Sequence, residues 1–135
     1  MMEENKKLNI TTELEAASKT LSEAELLFQH SLYSGAISRL YYSLLYTIRA
    51  LLLTKGLETK SHEGALRLLG LHFVKEGIFE PNASHVFSKL MKYREEADYN
   101  PAYIFTREDL VTLRQEVGEL TEKIIAYLKE KNYLP

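Results

Sequence analysis

Between Ala36 and Lys55, the apolar residues Ile37, Leu40, Tyr41, Leu44, Leu45, Ile48, Leu51 and Leu52 recur at three- and four-residue steps. That is the period of one face of an α-helix. The opposite side carries Arg39, Ser43, Tyr46, Thr47 and Ala50, which are small or amphipathic rather than fully charged. A helix with so little solvated surface belongs at the centre of a helical domain, touching neighbours on more than one side. Gly56 suits its end, because glycine accepts the left-handed conformation that follows a helix.

The rest of the chain supplies those neighbours. Thr12 and Glu15 are spaced as a capping box, and Leu14, Ala17, Leu21, Ala24 and Phe28 continue at helical steps to about His30. Ser61 can cap a shorter helix through about Val74, with Ala65, Leu68, Leu69, His72 and Phe73 on its inner side. Asn82 is placed to cap a fourth helix ending near Asp98, where Asn100-Pro101 pushes the backbone out of the helical region. Thr106 and the acidic pair Glu108 and Asp109 open a fifth, with Leu110, Leu113, Val117, Leu120, Ile124 and Tyr127 in phase to about Lys131. No stretch alternates with the period of a strand. The expected fold is all-α, an antiparallel up-and-down four-helix bundle with one additional short helix. Residues 1–135 are expected to form one domain, with 1–10 as a flexible N-terminal extension.

Composition narrows the function. A net charge of −2 gives no global field for nucleic acid, so any such binding needs a local patch. With no cysteine there are no disulfides or thiol chemistry, which fits a reducing cytoplasm. No apolar run reaches the roughly 18 residues of a membrane span. The four histidines stand in no HExxH or Glu-x-x-His spacing. No glycine-rich phosphate loop or nucleophile elbow is present either, so neither a metal nor another cofactor is expected.

One charge is out of place. Val86, Phe87, Leu90 and Met91 form the apolar stripe of the fourth helix, and Arg94 falls on its continuation. A guanidinium stays protonated, so there it must snorkel, pair with a carboxylate or line a cleft. Asp98, four residues on, could pair with it as a structural bridge. Arg39 and Arg49 on helix two, with Tyr41, Tyr42, Tyr46, Tyr93, Tyr99 and Tyr103, extend the set. Arginine forks hold phosphates and tyrosines stack on bases, so this set is compatible with single-stranded RNA. His62, at the start of helix three, could meet an anion or act as an acid or base near neutral pH.

Several short stretches in order resemble the small prokaryotic HEPN-domain proteins. They are Ala36-Ile37-Ser38-Arg39-Leu40-Tyr41-Tyr42, Arg49-Ala50-Leu51-Leu52, Lys60-Ser61-His62-Glu63-Gly64, Phe73-Val74-Lys75-Glu76-Gly77 and Arg94-Glu95-Glu96-Ala97-Asp98-Tyr99. The resemblance implies a helical bundle that dimerises around a shared cleft. It also implies a toxin paired with a minimal nucleotidyltransferase, and in many members a metal-independent ribonuclease. The motif of those ribonucleases is an arginine, then four to six intervening residues, then a histidine. Arg94 matches the arginine, but no histidine follows it, and Tyr99 stands five positions on. Tyrosine, with a pKa of about 10, is a poor general base at neutral pH.

The expected function is therefore a variant HEPN module, a homodimer that binds RNA or a nucleotide beside a nucleotidyltransferase partner. Arg94, Tyr99, Asp98, Arg39, Tyr42 and His62 are the expected binding residues. The alternatives are an endoribonuclease toxin using Arg94 with His62 or Tyr99, and a purely structural interaction protein.

Overall fold

A computed structural model describes residues 2–135. Among them there is no strand, and the helices are α1 (Met2–Gln29), α2 (Tyr33–Leu53), α3 (His62–Leu69), α4 (Asn82–Tyr99) and α5 (Arg107–Glu130). None of these helices is long and apolar enough to cross a membrane.

Helix α2 holds the centre, in contact with α1, α3, α4 and α5. Ile37, Tyr41, Leu44, Ile48 and Leu51 on its apolar face are fully buried. On its second face Ser43, Thr47 and Ala50 are buried as well, small enough for α1 to approach closely. The Ser43 hydroxyl donates to the Ala17 carbonyl across that contact at 2.8 Å, so the polar atom is satisfied without water. The two helices run in opposite directions. Lys6 lies by the Thr54 carbonyl (3.4 Å), Ala17 by Ser43, and Glu23 by Arg39 (3.7 Å). Ser31, in the left-handed region at φ 61°, makes the turn between them, and the Leu32 N–H closes it on the Leu27 carbonyl at 2.9 Å.

Two expectations for α1 are corrected. The segment 1–10 is helical from Met2, and Ile10 is fully buried. Thr12 lies inside the helix, its hydroxyl donating back to the Leu8 carbonyl at 3.0 Å, so it caps nothing. One buried apolar side chain, Ile10, docks this first part of α1 where the polar residues around it show no stripe.

Helix α5 begins as its sequence suggests. The Asp109 N–H donates to the Thr106 hydroxyl (3.1 Å), and the Thr106 N–H donates to the Asp109 carboxylate (2.9 Å). Leu110, Leu113, Val117, Leu120, Ile124 and Leu128 form its buried face. Arg114 ties it to α1 by an ion pair with Glu25, and Lys89 ties α4 to it through Glu116. Beyond its end, the Tyr133 hydroxyl donates to the Thr54 carbonyl at 3.3 Å, beside the C-terminus of α2.

Helix α3 does not continue as an α-helix to Val74. After Leu69 it widens into a π-helical turn, Gly70–Val74, in which the Lys75 N–H reaches the Gly70 carbonyl at 2.8 Å. The wider turn carries Phe73 fully inside, against Phe79 and Tyr127. Asn82 is the first helical residue of α4 rather than its cap, and no side chain caps that end.

Candidate functional site

Arg94 continues the buried stripe of α4 behind Val86, Phe87, Leu90 and Met91, and only 8% of it is exposed. Its guanidinium is held on three sides. Nη1 donates to Asp98 Oδ2 at 3.3 Å, one helical turn on. Nη2 lies 3.3 Å from Nδ1 of His62, the first residue of α3. Cζ sits 5.1 Å from the centroid of the Tyr41 ring, within the range of a cation–π contact.

Each partner is positioned by its own local structure. Ser61 caps α3, accepting the Gly64 N–H at 2.9 Å, and this fixes the backbone that carries His62. A Cβ at position 64 would collide with the hydroxyls of Thr59 and Ser61, so this close approach requires glycine. Tyr41 is fully buried and stacks on Phe87, ring centroids 5.8 Å apart and planes 11° from parallel. The His62 ring packs against Tyr41 (5.3 Å) and Tyr42 (6.0 Å).

Electrostatics set the protonation states. Burial, joined by the charges of Arg94 and Arg49, pushes His62 below its ordinary pKa of 6.5, so the imidazole is neutral at pH 7. A guanidinium carries donors only, so Nδ1 must accept from Arg94 and the proton resides on Nε2. For Arg94, burial works against the charge, but the hydrogen bond to Asp98, with Tyr42 and Tyr41, outweighs it. The outcome is a fixed cation beside a neutral ring that still has one N–H to give.

Two polar atoms in the cluster, the Tyr41 hydroxyl and Arg94 Nε, are buried without a hydrogen-bond partner. An unpaired buried hydroxyl is destabilising. Tyr41→Phe is therefore expected to raise stability by about 1 kcal/mol while keeping the ring under Arg94. Urea denaturation should show a higher midpoint with an unchanged slope.

Of the residues expected from sequence to bind a ligand, Arg94, His62, Asp98 and Tyr42 come together. Two do not. Arg39 lies on the α1 side of α2, 3.7 Å from Glu23. Tyr99 is 75% exposed at the end of α4, outside the cluster. Tyr41, named from sequence only in the wider arginine–tyrosine set, is the member that lies under Arg94, and its place in phase with an apolar stripe reads equally as core.

The model of the HEPN domain matches residues 12–131 of this chain. The chain belongs to the HEPN family. Two proteins of Methanocaldococcus jannaschii, each named "Putative toxin", are similar to this HEPN chain. One is 36% identical over 117 residues, covering 87% of both chains. The other is 31% identical over 134 residues, covering 99% of this chain and 91% of the relative. A UPF0332 protein of Thermotoga maritima is 33% identical over 116 residues, 84% of this chain and 88% of its own. The HEPN match encloses the whole cluster, from Tyr41 to Asp98.

Proposed function

We propose that this HEPN protein is a toxin-like RNA- or nucleotide-binding module whose phosphate contact is the Arg94–His62 pair. In this reading its four long helices form an up-and-down bundle. The protein is a cytoplasmic homodimer and acts beside a minimal nucleotidyltransferase. The toxin setting is supported by the names of the two M. jannaschii relatives. The observation that carries the binding role is the 3.3 Å approach of His62 Nδ1 to Arg94.

That approach favours binding over cleavage. A general base needs a free lone pair, and here the Nδ1 lone pair faces the guanidinium while Nε2 holds the proton. The ring can donate to a phosphate oxygen alongside a charged arginine, which is how an anion is held. Tyr99, largely exposed and outside the cluster, supplies no substitute base.

A short single-stranded RNA labelled with fluorescein should bind at low salt and remain intact for hours in EDTA. Binding should weaken as salt rises, since phosphate contacts release counterions. Cleavage that disappears in Arg94→Ala would replace this reading with the endoribonuclease. Absence of RNA and nucleotide binding at saturating protein would leave only a structural partner.

A further inference from the structure

Tyr42, Tyr46 and Arg49 follow one another on α2 at steps of four and three residues, so they share one side of the helix. All three are half-buried, whereas Ser43, Thr47 and Ala50 toward α1, and Tyr41, Leu45 and Ile48 toward the core, are buried. The three therefore form a strip of α2 left partly open between α1 and the core. At one end of it Tyr42 packs against His62, ring centroids 6.0 Å apart, and His62 meets Arg94. At the other end Arg49 holds its Cζ 6.0 Å from the centroid of the Tyr46 ring. Among the described residues Arg49 forms no ion pair, so its charge has no protein partner.

Cations interleaved with aromatic rings are what a single strand of nucleic acid needs, since the cations take phosphates and the rings take bases. From Tyr42 to Arg49 the strip runs about 10 Å along the helix axis, a length on the scale of neighbouring phosphates in a strand. Arg49 also borders a cleft of about 660 Å3, whose other charged residues are Glu13, Glu58 and Lys60. With two carboxylates to one lysine, that wall does not attract phosphate, so the backbone contacts end at Arg49.

We propose that this strip is the track of a single-stranded RNA, with one phosphate at His62 and Arg94, a base against the Tyr46 ring and the next phosphate at Arg49. The track rests on the phosphate reading of Arg94 and His62 only for its first contact. It names a strand, rather than a free nucleotide, as the ligand.

A fluorescein-labelled uridine hexamer is titrated into the full-length protein at several salt concentrations, with UMP and unlabelled hexamer as competitors. UMP should compete at least about tenfold more weakly than the hexamer, because it lacks the second charged contact. Arg49→Gln keeps the stem and removes the charge. It should weaken the hexamer about tenfold and lower the slope of log affinity against log salt by about 0.7, the single-strand value for one phosphate. UMP affinity should be unchanged by it. Tyr46→Ala should weaken the hexamer about 5- to 100-fold, the range for one lost base stack, and Tyr46→Phe should bind as the wild type does. Circular dichroism checks folding, and Arg49→Gln decides the matter if Tyr46→Ala unfolds. Hexamer affinity and salt slope unchanged in Arg49→Gln, or UMP binding as tight as the hexamer's, would overturn the track. If Arg94→Ala leaves hexamer binding intact while Arg49→Gln weakens it, the phosphate reading of Arg94 and His62 is lost and the strip on α2 stands. If the wild type binds no RNA, both are lost.

Discussion

Arg94→Lys is expected to weaken single-stranded RNA binding by about 10- to 100-fold, the size of one lost charged hydrogen-bond set, although the charge is conserved. The reason is geometry. The guanidinium reaches Asp98 through Nη1 and His62 through Nη2 while its plane covers Tyr41. An ammonium is a point charge on a flexible stem and cannot make all three contacts together. His62 then loses the donor that holds its proton on Nε2, so the second contact to phosphate is lost with the first. Stability should change much less, by about 1 kcal/mol, because the Asp98 side chain is 29% exposed and regains water. Fluorescence anisotropy and thermal melting of the same preparations separate the two effects. Wild-type affinity in Arg94→Lys would mean that this arginine is only a structural bridge.

Phe87→Ala is expected to cost about 3–5 kcal/mol, the range for removing a fully buried aromatic ring. Phe87 has no exposed surface and stacks directly on Tyr41, which in turn lies under Arg94. The cavity would remove the floor of the cluster as well as core contacts. Against a total of roughly 5–15 kcal/mol, such a loss leaves a marginal protein. Urea unfolding followed by circular dichroism measures it. Phe87→Leu, which keeps most of the volume, should lose considerably less. A cost below about 1 kcal/mol for Phe87→Ala would show that the stack adds little.

The sequence revealed the molecule where periodicity was strong. Helices α2 and α5 repeat their apolar residues for several turns, and the Ser61 cap was recognisable from its residue type. The first part of α1 was not legible. Its buried residue is Ile10, its nearest apolar neighbour Leu8 is 63% exposed, and Thr12 with Glu15 imitates a start. Arg94 stood out because a charge interrupts an apolar stripe. His62 was a candidate beside it, but their contact could not be read off, since the two are separated by 32 positions and only tertiary packing joins them. Arg39 lies apart from the cluster for the converse reason. Its carboxylate partner Glu23 lies on another helix, and an arginine seen without its partner resembles a free one.

The turn at Ser31 has a kinetic consequence. Helices α1 and α2 are consecutive and antiparallel, so their contacts can zip outward from that turn. Each new contact closes only a little additional chain, and the entropic toll of closure grows slowly. The meeting of His62 with Arg94 has no such neighbour to extend from, and it requires α3 and α4 to dock on a formed α2. Local contacts precede distant ones in small helical domains. The α1–α2 hairpin is thus expected to form before the cluster around Arg94 acquires its geometry.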